Sequence, residues 1–307
     1  MKRFLSLLLT IAMLVCLCAC SAAEQPGDGT TQTQPQRDPV KDDKVLKVLA
    51  IGNSFSSDTT HYLADVAKAE GFKEVLLGNL YISGCTLKTH AQNVADDLPA
   101  YKFYTNFDGA WTSAEGVTLS YALQSQDWDI ITMQQGSAQS GKQGTYEPYL
   151  TDLIKYVNEN KTNPNAKLAW NMTWAYQTGF EKDQFEAYDR DQWVMYNAIC
   201  DTVKDKVIPH TEFAYMIPVG TAVQNVRTSY IGDNLTRDGY HLNDLGRVIA
   251  SYTWLATFLG EPLEQVNLTS VSSTLSLGEA DKKVIIECVN AALAENYTVT
   301  QSAITQK

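Results

Sequence analysis

The chain has 307 residues and carries 24 Lys and Arg against 35 Asp and Glu, a formal charge of −11. Phosphate contacts need basic patches, and none occurs beyond the first residues, so nucleic acid is excluded as a partner and an anionic membrane surface is not favoured by charge. Three of the six cysteines crowd the first twenty residues. The others, Cys85, Cys200 and Cys288, are an odd set at wide spacing, which indicates neither a disulfide framework nor a metal knuckle.

In chain order, Met1-Lys2-Arg3 is a short basic start, followed by an almost unbroken apolar run over residues 4–17. That pattern predicts a secretory leader, too short for a permanent transmembrane helix. The run ends at Leu17-Cys18-Ala19-Cys20, which resembles the lipobox of bacterial lipoproteins. The resemblance implies cleavage after residue 19, acylation of Cys20, and an exported chain anchored to the membrane by lipid alone. Residues 20–43, rich in Gln, Thr, Asp, Pro and Gly, hold too little apolar surface to fold and read as a flexible tether. A domain is expected over 44–262, with a helical extension over 263–307.

Within the domain, 44–52 (KVLKVLAIG) is a short Val- and Leu-rich run ending in Gly, a buried strand. Residues 57–70 place Tyr62, Leu63, Val66 and Ala67 at helical spacing, and Gly71 stops the helix. Strands follow at 74–82, 128–133, 167–173 and 210–218, alternating with helices at 119–126, 149–158 and 185–206. An apolar helix over 244–259 closes the unit, and 277–296 adds one more. Strands alternating with helices predict an α/β fold, a three-layer doubly wound parallel sheet. Ligands of such sheets bind at the carboxyl ends of the strands, so the residues just after each strand carry the functional expectation.

Four segments stand at those ends. Gly52-Asn53-Ser54-Phe55-Ser56 puts a hydroxyl between strand and helix; alone it equally describes a helix cap. Ser83-Gly84-Cys85 offers a glycine whose N–H can approach a ligand closely, or simply a turn. Gln134-Gln135-Gly136-Ser137 offers a side-chain amide, or a polar loop. Asp238-Gly239-Tyr240-His241 sets a carboxylate and an imidazole three residues apart before a helix. That spacing lets the carboxylate hold Nδ1–H and aim Nε2 at a hydroxyl, which a serine needs to become nucleophilic.

Taken together, the order of these four segments resembles the SGNH (GDSL-like) hydrolase superfamily, whose fold is flavodoxin-like. More closely, IGNSF, the stretch carrying Gly84, Leu87 and His90, WDIITMQQGS and RDGYHLN are similar to the DUF4886 branch, over most of 45–259. The resemblance implies a serine esterase with Ser54 as nucleophile, His241 as general base and Asp238 as its orienting carboxylate. The oxyanion would be held by the N–H groups of Ser54 and Gly84 and by the amide of Gln135 or Gln134. No metal or cofactor is implied. Asn53 stands where the superfamily has an acid, a change expected to matter little because that position lies outside the triad. Family analogy points to acetyl groups on extracellular carbohydrate; the rivals are a lipase or thioesterase for longer acyl chains and a glycan-binding lipoprotein without turnover. Trp174, Tyr240 and Trp111 are expected to offer flat faces to sugar, although a Trp more often packs a core. His61 is expected at the surface of the first helix or just behind the site, and His90 and His210 in structural positions.

Overall fold

The computed structural model describes residues 38–304 apart from 108, 268–270 and 272–274. The leader, the Cys20 lipobox and most of the tether lie outside the described residues. The tether expectation overlaps them at 38–43, and there it needs correction: a helical turn at Pro39–Asp43, capped by Asp38, seats Val40 in the core at 2% exposure. Residues 38–43 therefore belong to the folded unit. A single valine between Pro39 and Lys41 gives too short a pattern to read as structure from the sequence.

The chain then runs β1 (Val45–Gly52), α1 (Ser54–Thr60), α2 (Leu63–Ala69), β2 (Glu74–Tyr81), α3 (Leu87–Ala95), β3 (Tyr101–Asn106), β4 (Trp111–Val117), α4 (Leu119–Gln124), β5 (Ile130–Met133), α5 (Tyr149–Asn160), β6 (Lys167–Asn171), α6 (Gln192–Lys206), β7 (Phe213–Ile217), α7 (Val219–Arg227), α8 (Asp244–Leu259) and α9 (Glu279–Ala294). Seven strands form one sheet in the order β4-β3-β2-β1-β5-β6-β7. β2, β1, β5, β6 and β7 are parallel, as a doubly wound α/β fold requires. β3 and β4 add an antiparallel hairpin at one edge, in a stretch where the sequence pattern predicts no strand. β4 escapes a hydrophobic reading because six of its seven residues are exposed.

The winding reverses at β1. The chain goes one way from β1 to β2 and the other way through β5, β6 and β7, so right-handed crossovers set helices on both faces. α1 and α2 pack with α8, which also contacts α7 and α9; α3 and α4 pack with α5. The reversal opens a crevice above the carboxyl end of β1. β1 is buried on both faces, with Leu46, Leu49 and Ala50 fully covered, and this explains its unbroken apolar run. Among the described residues no helix is long and apolar enough to cross a membrane.

Candidate active site

Ser54 begins α1 directly after β1, at the crevice. Its neighbour Asn53 caps that helix by accepting from the Phe55 N–H at 2.9 Å. Asn53 also donates through Nδ2 to the Cys85 carbonyl at 2.9 Å and accepts from Gln134 Nε2 at 2.9 Å. The relay continues, since Asn171 Nδ2 donates to Gln134 Oε1 at 2.8 Å and Trp254 Nε1 donates to Asn171 Oδ1 at 3.0 Å. Residues at the ends of β1, β5 and β6 are thus tied to the glycine segment and to α8 by one buried chain of amides. Burial makes each of these bonds costly to lose. Asn53 lies outside the triad, as expected, but it is a hub of the scaffold that holds the site. A carboxylate could accept as Asn53 does, but it cannot donate to the Cys85 carbonyl.

Facing Ser54 is the loop before α8. His241 Nε2 lies 2.9 Å from Ser54 Oγ, and His241 Nδ1 lies 2.7 Å from Asp238 Oδ2. Asp238 Oδ1 accepts from the His241 N–H at 2.8 Å and from the Tyr240 N–H at 3.3 Å. Burial pushes the Asp238 carboxyl upward, but the bonds and charge of His241 outweigh it and hold the group below the usual carboxylate value. An ionised carboxylate only accepts, so Nδ1 carries a proton, and in the neutral imidazole the Nε2 lone pair then faces the Ser54 hydroxyl. Between the two partners, Gly239 takes φ +90°, and a Cβ there would fall 2.2 Å from the Phe180 ring. Only glycine fits.

The clamp on this loop is a residue the sequence reading missed. Asp58 is 1% exposed, one helical turn beyond Ser54 on α1. It accepts from the Leu242 N–H at 2.9 Å, Arg237 Nη1 at 2.9 Å and Arg247 Nε at 3.0 Å. One short helix therefore carries both the hydroxyl and the anchor of the loop that supplies its base. The other side of the loop is held by Trp174, whose Nε1 donates to the Tyr240 carbonyl at 2.7 Å. Its ring stacks on Phe55 at 4.0 Å with the planes 3° apart. Nothing local in the sequence pairs Asp58 with arginines some 180 residues away; the only hint was an acid one turn after the candidate serine.

The cleft above Ser54 encloses about 430 Å³ and is lined by Gly84, Ser137, Tyr176, Lys182, Tyr240 and His241, among others. Gly84 takes φ +62° in the turn after β2, and no atom lies near where its Cβ would stand. Neither glutamine faces this space as the sequence reading expected. Gln134 is committed to Asn53 and Asn171. Gln135 Nε2 donates to Thr145 O and Oγ1, each at 3.1 Å, while Oε1 accepts from the Leu87 and Gly136 N–H groups, each at 2.9 Å. Gln135 is saturated by scaffold bonds and Gln134 is held between Asn53 and Asn171, and neither lines the cleft; the glutamines that do are Gln139 and Gln184.

The aromatic expectations divide. Tyr240 lines the cleft, with the Lys182 ammonium 3.8 Å from its ring centroid. Trp174 is fully buried and cannot meet a substrate, which corrects its assignment as a sugar platform. Trp111 lies outside this cleft, in a second pocket on the β3–β4 hairpin. His90 is buried against the Tyr101 hydroxyl at 3.0 Å, and burial pushes it down to about 4. His210 meets Glu147 at 2.6 Å. His61 is exposed at the end of α1. Cys85, Cys200 and Cys288 are free and buried, and burial holds each thiol well above the usual thiol value, so none is a nucleophile near neutral pH.

A parallel α/β sheet with a hydroxyl, an imidazole and a carboxylate in hydrogen-bonded series at its carboxyl edge defines the class of this protein. The chain belongs to the DUF4886 family: residues 47–276 match the model described as "Domain of unknown function (DUF4886)". The crystal structure of a DUF4886 family protein from Bacteroides uniformis is 36% identical, with a TM-score of 0.77, over 84% of this chain and 98% of that one. An acetylxylan esterase from Geobacillus stearothermophilus, solved as a catalytic mutant, is 12% identical with a TM-score of 0.42, over 69% of this chain and 94% of that one. No curated protein sequence matches the chain.

Proposed function

We propose that this chain is a serine esterase acting through Ser54, His241 and Asp238. The observation that carries the reading is the unbroken series Asp238 Oδ2–His241 Nδ1 at 2.7 Å and His241 Nε2–Ser54 Oγ at 2.9 Å, opening on a solvent-reached cleft. His241 takes the Ser54 proton as Oγ attacks the ester carbonyl. The carbonyl π pair moves onto oxygen, where the Ser54 and Gly84 N–H groups receive it. The carbonyl re-forms, the alcohol departs with the proton held by His241, and an acyl-serine remains. Water then repeats the sequence with His241 as base, releasing the acid and restoring Ser54.

Two features bear on the substrate. The cleft walls are mostly hydroxyls, glycines and backbone, with no long apolar channel among the residues that line it, which favours a short acyl group such as acetyl. Tyr240 and Lys182 line the cleft beside the base, where a hydroxyl and an ammonium suit the hydroxyls of a sugar. On this reading the natural substrate is an acetyl ester of carbohydrate. The lipobox at 17–20 supports an enzyme carried outside the cytoplasm on an acylated Cys20, where such glycans occur. Mass spectrometry of the amino-terminal fragment from cells reads this directly; an unacylated Cys20 ends that part of the reading.

The decisive measurement is labelling with a serine-directed fluorophosphonate, followed by mapping of the modified peptide. Label on Ser54, together with loss of acetyl-ester hydrolysis in Ser54→Ala, is the expected result. Unchanged hydrolysis by that variant ends the assignment. Binding of glycan with no labelling at all would instead identify a non-catalytic glycan-binding protein on the same fold.

A further inference from the structure

The second pocket deepens the esterase reading and rests on it. It holds about 320 Å³ and is lined by Ser57, Thr60, His61, Asn79, Tyr104 and Trp111. Sheet register explains why these residues meet. Asn79 pairs with Tyr104, Tyr81 with Lys102, and Asn106 with Trp111. Paired residues share a face, and alternate residues along a strand share it too. Tyr81, Asn79, Tyr104 and Trp111 therefore stand on one side of the sheet, the side packed by α1. Trp111, at the edge of that face, is 36% exposed.

This pocket adjoins the catalytic cleft. Tyr81 lines the cleft and makes an edge contact with Tyr104 of the second pocket, ring centroids 5.8 Å apart. Ser54 lines one space and Ser57 the other, three residues apart on the same helix and so neighbours on its surface. The two spaces lie side by side, with Tyr81 and Tyr104 in contact between them, on a line from Tyr240 past Ser54 to Trp111.

The lining selects the occupant. Flat aromatic faces alternate with an amide, hydroxyls and an imidazole, and none of the six residues around the second pocket carries a formal charge. Asn79 is 2% exposed and fixed by Ser56 Oγ at 2.7 Å and Ser57 Oγ at 2.9 Å, so its position is set before any ligand arrives. The apolar surface here is mostly ring and carbon edged by polar groups, and the nearby Lys102 ammonium, 5.0 Å from the Tyr104 centroid, is already paired with Glu115. A neutral sugar presents C–H faces to the rings and hydroxyls to the polar groups. We propose that the hairpin pocket is a second sugar subsite, so that the enzyme takes its ester on a linear neutral glycan spanning both spaces from Tyr240 to Trp111 rather than on a single sugar.

The test uses O-acetylated linear β-1,4 oligosaccharides of one to six units, derived from cellulose, xylan and mannan, beside a chromogenic acetate. In the wild-type chain kcat/KM climbs with length through a fall in KM. In Trp111→Ala and Tyr104→Ala the ratio of long-chain to short-chain kcat/KM drops about tenfold each, the scale of one lost aromatic contact. Intrinsic tryptophan fluorescence of Ser54→Ala, titrated with the unacetylated hexamers, reports the same subsite without turnover and loses its response in Ser54→Ala/Trp111→Ala. A flat length profile with the chromogenic acetate still hydrolysed overturns the subsite and leaves the esterase intact. Absent hydrolysis of every ester, with hexamer binding retained through Trp111, overturns the esterase and keeps the subsite. Trp111→Ala that changes only a monomer–dimer equilibrium assigns the face to a second copy of the chain and overturns the proposal.

Discussion

Asp238 does two things with one carboxylate: Oδ1 folds the loop by accepting the Tyr240 and His241 N–H groups, and Oδ2 sets the imidazole proton. Asp238→Asn keeps the loop acceptor but places a neutral amide against Nδ1. It lets the proton move to Nε2, where it blocks the Ser54 hydroxyl. The expected loss is ~10³–10⁴ in kcat on an acetyl ester with KM little changed, read from steady-state kinetics. A second expectation follows from the lowered carboxyl. The folded value lies below the unfolded one, so the unfolded chain binds more protons between them and stability rises with pH there. The contribution is complete above the ordinary carboxylate value of about 4 and is lost as pH falls through the folded value. Denaturant midpoints of the wild type and Asp238→Asn therefore converge on acidification. Midpoints that stay equally far apart down to the acid transition would show that the carboxylate carries no folded-state stabilisation.

At the scale of elements, the site is a contact between α1 and the loop before α8, and Asp58 is the fastening. Removing it leaves the Arg247 guanidinium and the Leu242 N–H without their buried acceptor, and truncating one partner of such a network costs ~3–5 kcal/mol. Asp58→Ala is expected to lose stability on that order in urea titration. It should also lower kcat where the fold survives, because the imidazole is no longer held against Ser54. Asp58→Asn, which keeps the size and one acceptor, should recover part of both. Full activity in Asp58→Ala would mean that the loop is positioned from the Trp174 side alone. The strand and helix patterns of the parallel unit were legible because their apolar residues recur at fixed spacing, as in 149–158 against the observed Tyr149–Asn160. The expected helix over 185–206 is in fact a 3₁₀ turn at Asp183–Tyr188 and then α6, separated by Asp189 and Arg190 in left-handed conformations. Two non-glycine residues with positive φ leave no mark in a hydrophobic pattern. The hairpin β3–β4 was not legible for a related reason: its exposed strand owes its place to backbone pairing with β3, which any residue can supply.

Across the molecule, the segment past α8 is part of the fold. α9 buries Val284, Ile285, Cys288 and Val289, and Asn225 Nδ2 of α7 donates to the Cys288 carbonyl at 3.0 Å. A chain ended at residue 262 would expose that face of α7 and α8 and is expected to unfold or aggregate. Circular dichroism and gel filtration of the truncated chain check this, and a soluble, cooperatively melting product would make α9 an accessory.

By itself the sequence determined the alternation of strands and helices and the positions of a serine, an aspartate and a histidine at strand ends or before a helix. These are properties of short stretches, read from spacing and residue chemistry. Which amide faces the cleft, which tryptophan is covered, and what clamps the loop were decided only by the tertiary structure. Gln134 and Gln135 are alike in sequence terms, and both turned into the scaffold because buried donors and acceptors there had to be matched. Trp174 was covered because Phe55 and Tyr240 close over it, and Asp58 found its arginines only once α8 folded across α1. Partners separated by a hundred residues or more meet through the whole arrangement of the sheet, and no local pattern encodes that meeting.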